Sequence, residues 1–119
     1  MMLQKDYFKD HPLWKPLELE LHKRRNNLNN QQLAQVVHAF GSTGNATKFL
    51  FEELEETIID SPVSIETPHL CKMLQGYSLV NMGSPIFYKH CQDVLLSRKF
   101  KDLKYLEIAD VCRDFARAT

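Results

Sequence analysis

Apolar residues recur along the chain with the spacing of amphipathic helices, most clearly within residues 65–96. Leu70, Leu74 and Tyr77 occupy positions i, i+4 and i+7, which lie on one face of a helix. A second apolar run, within residues 86–96, has the same helical spacing. The pattern predicts two consecutive amphipathic helices.

The break between these two helices carries the signals of a turn followed by a helix start. Gly83 lies in the turn, Ser84 is a good N-cap residue, and Pro85 suits the first helical position, where its missing N–H costs nothing. The stretch therefore predicts a helix–turn–helix hairpin.

The hairpin pattern recurs at a fixed spacing over almost the whole chain. The first helices align over 37 and then 38 residues, in the sets Leu28/Leu33/Val37/Phe40, Ile65/Leu70/Leu74/Tyr77 and Leu103/Ile108/Cys112/Phe115. The second helices align over 37 residues, in the sets Trp14/Leu17/Leu21, Phe51/Leu54/Ile58 and Tyr88/Cys91/Leu95. Such self-similarity is typical of helical repeat proteins. It divides one domain into a half repeat (1–27), two repeats (28–64 and 65–102) and a second half repeat (103–119).

The repeat predicts an all-α fold, a short right-handed α-solenoid of stacked helical hairpins. The expected helices span about residues 15–25, 30–40, 46–59, 67–77, 85–98 and 104–118. Gly41 is expected to end the second helix as a C′ glycine. Asn45 and Thr67 are expected to cap the third and fourth helices.

One column of equivalent positions holds only small residues. Ala34, Cys71 and Ala109 each follow a large apolar residue in the first helix of their hairpin. A small side chain beside a large one lets neighbouring helices interlock. We expect the column to lie where these helices pack against each other.

Composition and charge exclude some classes of function. The 119 residues include 15 basic and 15 acidic side chains, so the net charge gives no argument for nucleic acid, a membrane surface or a charged substrate. A hydrophobic content of 44% is too high for a disordered chain. No apolar run reaches the length of a membrane span, and the first ten residues are typical of neither a signal peptide nor a transit peptide.

Motifs of catalysis and metal binding are missing from the sequence. The three cysteines form no C-x-x-C pair, and the five histidines form no H-E-x-x-H pattern. Neither a nucleophile elbow, a P-loop nor a dinucleotide-binding glycine motif occurs. We therefore expect a protein that is not an enzyme, with no catalytic residue, no cofactor, no metal site and no small-molecule substrate.

The repeats resemble those of a group of organellar proteins. Their first helices have the form L-x-x-x-L-x-x-[FY], as in Leu33-Val37-Phe40, and a glycine-containing turn leads to paired aromatics, Phe49/Phe51 and Phe87/Tyr88. This pattern resembles the FAST-kinase-domain family and the octotricopeptide and heptatricopeptide repeat families. The resemblance implies an α-solenoid, a mitochondrial or plastid location and, commonly, RNA binding. Short pieces of such folds also resemble accessory subunits of large mitochondrial complexes. Without the resemblance, a cytoplasmic location is expected.

Both ends of the predicted solenoid carry more apolar residues than one neighbouring helix would cover. Such contiguous apolar surface usually marks a docking site for another protein. The expected partner-binding residues are Tyr7, Phe8, Leu13, Trp14, Leu19, Val111 and Phe115. The alternative is that residues 2–10 fold back over the first helix.

Basic residues cluster in two connectors that follow the first and fifth predicted helices. Both clusters are expected along the same edge of the solenoid, where a polyanion could bind. The residues are Lys23, Arg24, Arg25, Arg98, Lys99, Lys101 and Lys104. The alternative is structural, because positive side chains near helix C-termini interact favourably with the last carbonyl groups and the helix dipole.

Three functions are compatible with the sequence. The first is a non-catalytic scaffold or accessory subunit that binds other protein subunits of a larger, mitochondrial complex. The alternative is an RNA-binding module of organellar RNA metabolism, and a third is a fragment of a longer repeat protein. The neutral net charge favours the scaffold, because RNA-binding proteins usually present a basic surface.

Overall fold

The computed structural model describes residues 12–61 and 64–118, and every regular element among them is helical. The six α-helices are α1 (Trp14–Arg24), α2 (Asn30–Ser42), α3 (Lys48–Ile59), α4 (Thr67–Leu79), α5 (Pro85–Ser97) and α6 (Tyr105–Ala118), with a 3-10 turn at Arg25–Asn27 after α1. The predicted all-α fold of six helices is confirmed. Tyr7 and Phe8 lie outside the described residues.

Helices two positions apart along the chain pack against each other. The most extensive backbone contact is between α2 and α4, followed by that between α4 and α6. On the other side, α3 contacts both α1 and α5. The molecule thus has two rows of helices, with α2, α4 and α6 in one row and α1, α3 and α5 in the other. Stacked hairpins require such contacts between alternate helices. The solenoid arrangement itself stays a prediction.

The core lies between the two rows and is centred on Tyr77. The Tyr77 ring packs against those of Phe51 and Phe87, with centroid distances of 4.5 and 4.3 Å. Its hydroxyl donates a hydrogen bond of 2.6 Å to the carbonyl oxygen of Phe51. The hydrogen bond satisfies the hydroxyl inside an otherwise apolar cluster. Burial raises the pKa of Tyr77 far above its ordinary value.

Two helices of the first row, α2 and α4, end in the same backbone motif, 37 residues apart. Asn45 N–H donates to the Phe40 carbonyl and Met82 N–H to the Tyr77 carbonyl, both at 3.0 Å. The residues before these donors, Gly44 and Asn81, have positive φ angles of 74° and 55°. These are Schellman caps, in which a left-handed residue stops the helix.

Three expected helix boundaries were wrong. Gly41 lies inside α2, and Gly44 is the C′ glycine instead. The N-cap of α3 is Thr47 rather than Asn45, because the Thr47 hydroxyl accepts the hydrogen bond from Leu50 N–H. The N-cap of α4 is Glu66, so Thr67 is already helical.

Gly41 is kept small by the neighbouring helix. A Cβ atom at Gly41 would lie 2.2 Å from the carbonyl oxygen of Gly76, and one at Gly76 would lie 2.6 Å from that of Val37. The backbones of α2 and α4 therefore touch at this point. Ala34 and Cys71 of the small column are also buried, as expected, whereas Ala109 is half-buried.

We predict that Gly41→Ala destabilises the protein. Alanine would gain about 1 kcal/mol of helix propensity, but its methyl group must push the α2 and α4 backbones apart. We expect a net loss of about 1–3 kcal/mol of unfolding free energy, as is typical of overpacking. Chemical denaturation measures it, with Gln35→Ala on the exposed face of α2 as the control. Equal stability of the two variants would contradict the close contact.

Candidate interaction site

The second row of helices is joined by carboxylates that cap the following helix. Both Glu55 oxygens on α3 accept hydrogen bonds from Ser84, one from its N–H at 2.8 Å and one from its hydroxyl at 2.7 Å. One step earlier, Glu18 on α1 accepts a hydrogen bond from the Thr47 hydroxyl. Glu18 and Glu55 are 37 residues apart, as are Thr47 and Ser84. We call each such pair a capping junction.

Each capping junction places a negative charge at the start of a helix. The hydroxyls of Thr47 and Ser84 accept from the N–H groups of Leu50 and Phe87 and thereby cap α3 and α5. The carboxylate behind them also faces the positive end of the helix dipole, where an anion is stabilising. Thus α1 holds the first turn of α3, and α3 holds that of α5.

An aromatic pair accompanies this position in each hairpin. Trp14 packs edge-on against Phe40, Phe51 packs at a tilt against Tyr77, and Tyr88 packs edge-on against Phe115, with centroid distances of 5.8, 4.5 and 6.0 Å. The pairs join the two rows of helices at each level. The 37-residue spacing that relates these pairs also gives the position on α5 that corresponds to Glu18 and Glu55.

That third position is Gln92, which follows Glu55 by 37 residues. Gln92 is exposed and lies in a groove of about 450 Å³ between α5 and α6. The groove, here called the terminal groove, is lined by Gly83, Pro85, Tyr88, Lys89, Gln92, Phe115 and Ala118. Gln92 lies there near the Tyr88–Phe115 pair, and the groove is open to solvent.

A buried polar cluster joins α4 to α6. Asp114 is 1% exposed, and its Oδ1 accepts hydrogen bonds of 2.7 Å from both the Ser78 hydroxyl and the Arg117 guanidinium. Its Oδ2 is buried without a hydrogen-bond partner among the described residues. Burial raises the pKa of Asp114 above its ordinary value, although the hydrogen bonds from Ser78 and Arg117 act in the opposite direction.

Two of the three thiols are buried and protonated at neutral pH. Burial, assisted by the Glu107, Asp114 and Asp110 carboxylates, raises the pKa of Cys71 to about 12. Burial likewise raises the pKa of Cys91 to about 12. A nucleophilic cysteine requires the opposite shift. Both residues therefore fit a packing role, while Cys112 is exposed.

The residues expected at the ends of the stack fall into two groups. Leu13 and Leu19 are exposed, whereas Trp14 packs on Phe40. Val111 and Phe115 are half-buried against the core. The exposed apolar side chains of α6 are instead Tyr105, Leu106 and Ile108. The repeat alignment placed Ile108 among the apolar residues that face the core. In the described structure, no further helix covers the face of α6 that holds Ile108.

Three of the seven expected polyanion-binding residues have partners within the described structure. Arg98 donates to the hydroxyls of Thr67 and Ser64 at 3.0 and 2.6 Å. Arg25 donates to the carbonyl oxygen of His22 at 2.7 Å. Arg24 forms an exposed ion pair with Glu20. The remaining residues, Lys23, Lys99, Lys101 and Lys104, are exposed.

The capping junctions and the Asp114 cluster were not anticipated from the sequence. A signal for the junctions was present, because Glu18 and Glu55 follow the same 37-residue spacing as the apolar residues. Asp114 had no comparable signal, because its counterpart in the preceding repeat is Gly76. The repeat spacing thus indicated the capping junctions but not the contact made by Asp114.

Comparisons with known proteins do not assign the chain to a family. No family model, curated protein or solved structure matches it. The resemblance to organellar repeat families therefore stays a prediction. Among residues 12–61 and 64–118, no helix is long and apolar enough to cross a bilayer, and no group of His, Cys, Asp or Glu side chains is arranged to hold a metal ion.

We predict that Glu55→Ala destabilises the protein through Ser84. The substitution removes the acceptor of two hydrogen bonds at the start of α5, which is expected to cost roughly 1–3 kcal/mol of unfolding free energy. Glu56→Ala is the matched control, because Glu56 is the adjacent, exposed glutamate of α3. Denaturant unfolding of both variants measures the difference. Equal losses would mean that the junction contributes no stability.

We predict a pH-dependent contribution of Asp114 to stability. Because its pKa is raised in the folded chain, the folded state binds the proton more tightly than the unfolded state. The unfolding free energy should therefore fall as the pH rises from the ordinary aspartate pKa through the raised one. The difference between wild type and Asp114→Asn, followed by thermal unfolding across this range, isolates the effect. A difference that grows in favour of the wild type with rising pH would contradict the raised pKa.

Proposed function

We propose that the protein is a non-catalytic helical-repeat scaffold or accessory subunit that binds other protein subunits of a larger assembly. The observation that carries the proposal is the outer face of α6. Tyr105 is 91% and Leu106 81% exposed at the start of the helix, and Ile108, one turn after Tyr105, is 41% exposed. Large apolar side chains clustered at this exposure are typical of a surface that another protein covers.

The repeat indicates what kind of partner fits this face. Leu70 and Leu74 on α4 are the counterparts of Ile108 and Cys112 on α6, and both are fully buried. Ile108 and Cys112 are exposed in the described structure. A helix that packs on α6 as α6 packs on α4 would bury them. The proposed occupant is therefore an amphipathic helix of a partner subunit.

Several contacts favour this role over RNA binding. His38 and Gln75, on the polar face where a base edge could bind, are hydrogen-bonded to each other at 2.9 Å. Arg25 and Arg98 are held by groups of the chain itself. The net charge is zero, whereas binding to RNA phosphates requires a basic surface. A mitochondrial location belongs to the proposal only through the resemblance of the repeats.

The test is cross-linking of the tagged protein in its native source. We expect cross-links to partner proteins to concentrate on α6 and to be lost in the double variant Leu106→Lys/Ile108→Lys. Leu79→Lys is the control, because Leu79 is an exposed leucine at the end of α4. Complexes that persist in the double variant would contradict the assigned surface. Complexes that dissociate on ribonuclease treatment would favour RNA binding instead.

A further inference from the structure

The connector between α5 and α6 carries three exposed lysines, Lys99, Lys101 and Lys104, here called the lysine triad. Within the part of the chain that the structure describes, none of the three ammonium groups forms an ion pair. By contrast, Lys48 and Lys89 each pair with a carboxylate on their own helix, at 3.9 and 3.1 Å. The triad is therefore a local surplus of positive charge in a chain whose net charge is zero.

The position of the triad adds to this surplus. Lys99 follows the end of α5, where a positive charge is favourable, but Lys101 and Lys104 directly precede α6, where the helix dipole is also positive. Glu107 accepts a hydrogen bond of 2.9 Å from the backbone N–H of Lys104. Asp102, the one acidic residue of the connector, is exposed. The lysines and the helix dipole together make the start of α6 a favourable place for carboxylates of another molecule.

Helices of the first row run parallel to each other, with start beside start. Ser78 and Asp114, near the ends of α4 and α6, are hydrogen-bonded to each other. Burial and, after it, the Glu107 carboxylate raise the pKa of Cys71 to about 12, so these two residues near the starts of the same helices are also neighbours. A helix that continues the row on the outer face of α6 would therefore start beside the lysine triad.

The outer face of α6 has room for a helix at close range. Ala34 on α2, Cys71 on α4 and Ala109 on α6 are equivalent positions. Ala34 and Cys71 are buried, whereas Ala109 is half-buried. Small side chains at helix contacts allow the two axes to approach closely. The shape of this face thus suits the same kind of neighbour that α2 and α4 already have.

Carboxylates in the first turn of such a helix would be stabilised in two ways. They would face the lysine triad, and they would also lie at the positive end of the dipole of their own helix. Lysine or arginine in that turn would be repelled by the triad and by both helix dipoles. Charge therefore selects an acidic start for the incoming helix, and the parallel packing of the row selects its direction.

We propose that the outer face of α6 binds, in parallel orientation, a partner helix whose first turn carries aspartate or glutamate. The apolar side of this helix packs on Ile108 and Cys112, and its carboxylates pair with the lysine triad. This inference rests on the proposed function and names the chemistry of the partner at that site. Charged pairs at the rim of an interface mainly determine its specificity and its rate of association.

Carbodiimide cross-linking of the tagged protein in its native source tests the contact directly. The reagent activates a carboxylate, which then forms an amide bond with a lysine amine in contact with it and leaves no spacer. We expect links from the triad to aspartate or glutamate residues in the first turn of one partner helix. Lys23 and Lys72 are control amines, because both are exposed and lie outside the connector, and they should give no link to that helix.

Charge reversal measures what the triad contributes to binding. The triple variant Lys99→Glu/Lys101→Glu/Lys104→Glu should bind the partner identified by these links roughly tenfold more weakly at low ionic strength. The difference should shrink as added salt screens the charges. Lys72→Glu is the matched control and should bind as the wild type does. Lysine in place of the linked partner carboxylates should restore binding of the triple variant, whose fold circular dichroism verifies.

The outcomes separate this inference from the proposed function. Equal binding of the triple variant and the wild type, with binding lost in Leu106→Lys/Ile108→Lys, overturns the acidic first turn and leaves the partner surface standing. Binding that neither variant weakens overturns both. Triad links to a differently tagged second copy of this chain, or release of the complex by ribonuclease, would assign the triad to self-association or to RNA and thereby reject the acidic partner helix.

Discussion

The contact between the α2 and α4 backbones sets the spacing of the first row of helices. Gly41 and Gly76 leave no room for a Cβ atom on either helix, so the two backbones approach to direct contact. Because Gly76 directly precedes Tyr77 in the chain, the same contact fixes how deeply the Tyr77 ring enters the core. That ring in turn joins α3 and α5 by packing between Phe51 and Phe87.

The next contact along the row is built from different chemistry. Ser78 and Asp114 are the repeat counterparts of Gly41 and Gly76, and they form a hydrogen bond between α4 and α6 in place of the backbone contact. A buried carboxylate is costly unless its oxygens are hydrogen-bonded, and Asp114 has partners for Oδ1 alone among the described residues. The contact between α4 and α6 therefore depends on the protonation state of Asp114. The contact between α2 and α4 involves no titratable group at Gly41 or Gly76.

The second row of helices uses one device repeatedly. A side chain of one helix holds the N-cap residue of the next, through Glu18 and then Glu55. The middle helix, α3, takes part in both contacts, through Thr47 at its start and through Glu55. Gln92 follows Glu55 by 37 residues, and it lies exposed in the terminal groove beside Tyr88 and Phe115.

The sequence by itself determined the helical class and the positions that line the core. Leu33, Leu70 and Leu74 are buried as their spacing required, because a 3.6-residue period brings such positions to one face. The sequence did not determine the contact at Gly41, because a glycine at this position is locally typical of a helix end. Gly41 comes close to Gly76 only after α2 and α4 have packed. The same holds for Ile108 and Asp114. Their apolar or polar character is visible in the chain, but burial depends on which neighbour each face meets, and that is a property of the tertiary structure.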